Sequence, residues 1–166
     1  MTVRPVLVLP HQVLSTVAAP VGCVDDRARA LAEDLFDTMR ASPACVGLAA
    51  PQIGLSLRAF VVDVTGHRKA RSCHGPFVLF DPVITAREES EIAREGCMSV
   101  PDLTGDVARA KYLTVTGTGV DGEQLALEVD AFEARAVQHE LDHLDGLLFL
   151  DRVAGSHALF ERKVYR

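Results

Sequence analysis

Two periods of apolar and charged positions run along the chain, and each predicts a different kind of element. Across residues 25–42, Leu31, Leu35 and Met39 recur every four residues with charges between them, the pattern of an amphipathic helix that covers a sheet. Asp25 or Asp26 stands where a cap is needed. Residues 58–64, 77–84, 111–117 and 123–129 are short, rich in β-branched or aromatic residues and separated by turn formers, and are expected to be strands. Asp121-Gly122 favours a tight hairpin turn between the last two. A second helix is expected from Asp130, where Asp130 and Glu133 have capping-box spacing, to near Gly146, a residue suited to a left-handed stop. Residues 5–9 read as the first extended segment, and residues 156–166 as a short last helix with Leu159 and Lys163 on one side. The expected class is α+β, and with no repeat or linker in residues 1–166 a single domain is expected.

Composition narrows the function classes. With 48% apolar and 24% charged residues, the chain can build a packed core. Its formal charge of -6 repels a phosphate backbone and argues against a nucleic-acid partner, and Arg68, Lys69 and Arg71 read as a solvated loop. No apolar run approaches the roughly 18 residues of a membrane helix, and the N-terminal apolar stretch is too short for a secretory signal. A soluble, cytoplasmic protein with no membrane partner is expected. The four cysteines lack the spacing of a disulfide framework, which points to intracellular thiols, and Cys23 and Cys73 are expected to pack as small hydrophobes. His11 reads as a loop residue.

The chemistry gathers on the second helix, in Gln138-His139-Glu140-Leu141-Asp142-His143. His139 and His143 are spaced i, i+4 and share one helix face, so both imidazoles can reach one metal ion. Glu140 is placed to handle a proton on a water without being a ligand. A hydrolytic centre of this kind takes a third protein ligand. The metzincin pattern finds its glycine at Gly146 but Phe149 where its last histidine belongs, and a downstream glutamate is offered only by Glu161. The remaining candidate is Cys97, in Glu95-Gly96-Cys97-Met98-Ser99, since thiolate binds divalent transition metals well.

Three segments, residues 47–54 (Gly-Leu-Ala-Ala-Pro-Gln-Ile-Gly), residues 95–99 and residues 138–143, match in sequence and order the three motifs of peptide deformylases. The chain therefore resembles that family over residues 45–152. The resemblance implies antiparallel sheets around a central helix and one divalent metal ion held by Cys97, His139 and His143. In this family the ion is typically ferrous iron, with nickel, cobalt or zinc able to substitute. It also implies that N-formylmethionyl peptides of nascent proteins are the substrate and that formate is released.

On the same basis Glu140 is the proton carrier, and the Gln52 side chain and Met98 N–H are donors to the developing oxyanion. Gly47 stands where the substrate backbone passes, and Val46, Phe132 and Ala136 wall the methionine pocket. Glu95 with Arg109, and Asp142, are candidates to support the ligands. Cys45 replaces the glycine usual two positions before Gly47, which leaves ligands and proton carrier intact. Weak ribosome association is expected of a basic C-terminus carrying Arg162, Lys163 and Arg166. Two alternatives are a specialised deformylase acting on another N-formyl compound and a non-catalytic metal-binding protein on the same scaffold.

Overall fold

The computed structural model describes residues 2–163. Helix α1 (Asp26–Ala41) starts at Asp25, whose carboxylate accepts from the N–H groups of Arg27 and Ala28, both at 3.0 Å. Its stripe of Leu31, Leu35 and Met39 is buried as the spacing predicts. Strands β1 (Gly47–Ala49), β2 (Ala59–Val62), β3 (Phe77–Glu88), β6 (Tyr112–Thr118) and β7 (Gln124–Asp130) make one antiparallel sheet in the order β1-β2-β3-β6-β7. Strands β4 (Glu91–Cys97), β5 (Val100–Arg109) and β8 (Leu159–Glu161) make a second antiparallel sheet in that order.

Helix α2 (Ala131–Leu144) packs on one face of the larger sheet and α1 on the other. The side-chain alternation of β2 shows this directly: Phe60 and Val62 join the α2 cluster with Ala134 and Val137, while Ala59 and Val61 join the α1 cluster with Leu31 and Leu35. Every residue of β2 is accordingly buried. A third cluster, Cys97, Val100, Val107, Leu148 and Phe149, fastens the smaller sheet to the chain beyond α2. The class is α+β, with antiparallel sheets about a buried helix.

The four strands expected from pattern correspond to β2, β3, β6 and β7, and Gly122, at φ +82°, makes the turn before β7. Three expectations need correction. The Asp130 side chain makes no cap bond to α2; it accepts from the N–H of Ser72 at 2.8 Å, and the buried Glu133 carboxylate accepts from Ser72 and His74. The capping-box residues thus anchor residues 72–74 instead. Residues 156–163 form a 3-10 turn and β8 rather than a helix, because pairing with Leu103, Thr104 and Gly105 satisfies the backbone of a segment too short for a stable helix; residues 164–166 of that expected helix lie outside the described residues. Cys23 and Cys73 are exposed rather than packed.

Candidate metal centre

Ten of the residues of α2 are buried, among them the polar side chains of Glu133, Arg135, Gln138, Glu140, Asp142 and His143. Such burial is sustained only where partners are supplied. Gln138 exchanges bonds with the backbone of Ala110, accepting from its N–H at 3.0 Å and donating to its carbonyl at 2.9 Å, and this pins α2 to the β5–β6 connection. Past the helix, Gly146 at φ +72° turns the chain, and a side chain there would press on the backbone of Ser15 and Thr16 at 3.0 Å.

One donor atom each from Cys97, His139 and His143 falls within a group spanning no more than 4.8 Å. Cys97 is the last residue of β4, and Met98 and Ser99 turn the chain into β5. The Cys97 Sγ lies 3.4 Å from His143 Nε2. Ligands bound at thiolate and imidazole distances in a tetrahedral site stand about 3.6 Å apart, so the spacing and the soft donor set fit a divalent transition metal. His139 Nδ1 faces Glu95 Oε2 at 2.9 Å, which leaves Nε2 as its ligand atom. Burial alone would depress the His139 ring, but its bonds to Cys97 and Glu95 raise its pKa well above the usual value. His143 moves the other way, lowered by burial and then by the charges of His139 and Arg109.

Glu95 and Arg109 form a two-pronged ion pair, with Nε to Oε1 at 2.8 Å and Nη2 to Oε2 at 3.0 Å. Arg109 Nη1 also donates to Asp142 at 2.5 Å, and Arg152 takes the other face of that carboxylate. The Asp142 carboxylate is therefore bonded to Arg109 and Arg152 and to neither histidine ring; it anchors the arginine that anchors Glu95. Burial would raise the Glu95 carboxyl, yet Arg109 and His139 hold it well below the usual carboxylate range.

A cavity of about 320 Å³ opens onto this group between β1 and β4, the outer strands of the two sheets on this side. Val46, Gly47, Gln52, Cys97, Met98, Phe132, Ala136, His139 and Glu140 all line it, with His143 buried behind. The Gln52 side chain accepts from Ala49 N–H at 2.9 Å through Oε1, and its Nε2 points at Ser99 Oγ (3.2 Å) and Cys97 Sγ (3.6 Å). Glu140 is 4% exposed and its Oε2 has no hydrogen-bond partner. Burial, countered by His139 and supported by Glu95 and Asp142, pushes its pKa up to about 7. A second groove, of about 410 Å³, lies across β3, β6 and β7, remote from these donors.

Gly47 has a use that sequence alone does not reveal. A Cβ at that position would stand 2.6 Å from Glu140 Oε1 and 2.9 Å from its Cγ, so the glycine makes room for the carboxylate itself. The rival patterns supply no third ligand: Phe149, at the metzincin histidine position, is buried beside the His139 ring, and Glu161 is exposed on β8. Sequence reasoning passes over Arg135, which donates to Glu95, and His67, which stacks on Phe132 at 3.8 Å. Neither carries a motif signal; only burial and contact identify them.

A Cys-His-His donor set at the cavity wall, an adjoining buried carboxylate and a cavity of ligand size give this α+β fold the layout of a mononuclear metal hydrolase. The chain matches the polypeptide deformylase family over residues 3–158 and belongs to that family. It is 43% identical to the peptide deformylase of Desulforudis audaxviator over 98% of this chain and 99% of that protein. It is 41% identical to peptide deformylase 1 of Bacillus subtilis, covering 93% of this chain and 92% of the other. The crystal structure of the Thermotoga maritima peptide deformylase superimposes with a TM-score of 0.84 at 35% identity, over 93% of this chain and all of that one (100%).

Proposed function

We propose that this protein is a metal-dependent hydrolase, working as one catalytic domain, that removes the N-terminal formyl group from formylmethionyl peptides of nascent proteins and releases formate. The observation that carries the reading is the convergence of Cys97, His139 and His143 within 4.8 Å, beside an unpartnered Glu140 carboxylate in a peptide-accessible cavity. Cys97, His139 and His143 would hold one divalent ion, ferrous iron being the proposed native metal, with nickel, cobalt or zinc as substitutes. When bound, such an ion supplies a Lewis acid that polarises the formyl oxygen and lowers the pKa of water.

Glu140 takes a proton from the attacking water at Oε2 and delivers one to the departing amine; a carboxylate pushed up to about 7 can do both near neutral pH. Gln52 Nε2 and the Met98 N–H donate to the oxygen that becomes negative, each such donor being worth about 3 kcal/mol in the transition state. Val46, Phe132 and Ala136 give the methionine side chain an apolar wall, and His67 braces Phe132 from behind. The outer strands β1 and β4 present backbone groups to an extended peptide, which supports a peptide substrate. The presence of Glu140 and Gln52 in the cavity weighs against a non-catalytic scaffold.

The site of action proposed is the cytoplasm, where nascent chains appear. No helix of the described residues is long and apolar enough to cross a membrane. Of the basic C-terminal residues proposed for weak ribosome docking, Lys163 is exposed, Arg162 faces the cavity and Arg166 lies outside the described residues; docking is tested by co-sedimentation at low salt. The deciding experiment is anaerobic hydrolysis of formyl-Met-Ala-Ser by iron- or nickel-loaded protein. Formate release that Glu140→Ala lowers at least about 100-fold supports the reading. Metal-replete protein that is inert on the peptide overturns it.

A further inference from the structure

One residue of the C-terminal segment, Arg162, lines the cavity and has no part in the proposed hydrolysis. Pairing of β8 with Leu103, Thr104 and Gly105 of β5 carries the following residue, Arg162, to the cavity wall. There its backbone N–H donates to the Asp102 carbonyl and its Nη2 to the Cys97 carbonyl, both at 2.9 Å. The guanidinium lies over Gly96, where a Cβ would come within 2.7 Å of Nη2. It is therefore a fixed cation within one residue of a proposed metal ligand.

Three arginines line the cavity, and their charge balance differs. Arg135 is paired with Glu95 at 2.9 Å and Arg94 with Asp106 at 2.6 Å. Among the described residues no carboxylate stands within 4.0 Å of Arg162, and its Nε is buried without an acceptor. A buried charged donor without a partner is costly, and it is retained where a ligand brings the acceptor. In a chain of net charge -6, the unpaired cation is the local exception.

We propose that Arg162 forms an anion subsite that reads an acidic side chain on the second or third residue of the formyl peptide. An extended peptide advances about 3.3 Å per residue, so a group touching the backbone of Gly96 and Cys97 meets the residues next to formylmethionine. The inference rests on the formyl-peptide reading above. A free C-terminal carboxylate offers the same chemistry on a short peptide, and amidated probes separate the two sources.

The test compares formyl-Met-Glu-Ser and formyl-Met-Ala-Glu, C-terminally amidated, with their glutamine twins, using metal-loaded wild-type protein, Arg162→Gln and Arg162→Lys. The wild type is expected to favour a glutamate peptide over its twin about three- to fivefold in kcat/KM, carried by KM and weakened by salt. Arg162→Gln removes the charge and should bring the ratio to about one, whereas Arg162→Lys should keep part of it. A wild-type ratio of one for both pairs overturns the proposal. So does a ratio that Arg162→Gln leaves unchanged while lowering both turnovers equally, the mark of a purely structural role. Preference for free-acid peptides without preference for the amidated glutamate peptides overturns it as well. Should the protein hydrolyse none of these peptides, the formyl-peptide reading fails. The subsite is then judged by ligand-observed NMR binding of Met-Ala-Glu amide against Met-Ala-Gln amide, with equal binding overturning it.

Discussion

Gly47→Ala should disable the protein while leaving it folded. The added methyl carbon would stand 2.6 Å from Glu140 Oε1, 2.9 Å from Cγ and 3.0 Å from Cδ, whereas carbon contacts become comfortable only near about 3.5 Å. Because three successive atoms of the side chain collide, bending its tip gives no relief, and the carboxylate must swing to another rotamer. A displacement of about 1 Å in a group that must meet a reacting atom costs on the order of 100-fold, or about 2.7 kcal/mol of activation free energy. Overpacking should cost a further 1–3 kcal/mol of stability, roughly, which lowers Tm by about 2–12 °C in a chain of this size. Steady-state kinetics on formyl-Met-Ala-Ser with calorimetric Tm separates the two effects, and most of the loss should lie in kcat. Glu140→Asp, one methylene shorter, relieves the contact, so its cost should be smaller in the Gly47→Ala background than in the wild type. If Gly47→Ala keeps kcat/KM within twofold of wild type, the glycine is not what seats Glu140.

Three more outcomes follow from the same geometry. Burial, with Glu140 and Cys97 nearby, pushes the Cys45 thiol up to about 12, so at pH 7.5 it stays protonated; peptide mapping after iodoacetamide treatment should find Cys23 and Cys73 labelled well before Cys45, and equal labelling would contradict the assignment. Arg109→Ala deprives two buried carboxylates of their shared partner, at a cost of about 3 kcal/mol or more and a Tm loss of about 6–12 °C; Arg109→Lys should recover only part, since a point charge cannot bridge both, and an unchanged denaturation midpoint would refute this. Chelation should lower Tm and re-addition of nickel or cobalt restore it, since an ion that binds only the folded donor set stabilises by mass action; identical Tm with and without metal would argue against a site at Cys97, His139 and His143.

How much of this was legible in the sequence depended on what each element packs against. Helix α1 and strands β2, β3, β6 and β7 bury apolar faces, so hydropathy alone locates them. Strands β4 and β5 escaped it because their inward positions include Glu95 and Arg109, which are buried by pairing with each other. β1 and β8 are three residues long and exist through their registers, which no local pattern encodes. At the site, the motifs supplied Cys97, His139 and His143, whose ligand atoms the fold brings together. The supporting side chains of Arg135, Ser72, His67 and Arg162 became visible only once distant segments met.

The elements that hydropathy misses are also those that align the donors. Cys97 comes from β4 and the histidines from α2, and among the described residues the buried apolar cluster that holds Cys97 adds only Val100, Val107, Leu148 and Phe149, none of them on α2. Glu95, two residues before Cys97, is gripped by Arg109 of β5 and Arg135 of α2 and in turn orients His139, while Asp142 returns the connection to Arg109. Buried ion pairs seldom stabilise more than an apolar core of equal volume would. Directional bonds do something packing cannot: they set the rotation of an imidazole and the register of a sheet edge against a helix. Arg109→Ala should therefore weaken metal affinity by more than its effect on stability alone implies, because it releases the alignment of His139 with Cys97. A metal titration in which Arg109→Ala loses stability yet binds as tightly as the wild type would separate the two roles and refute the argument.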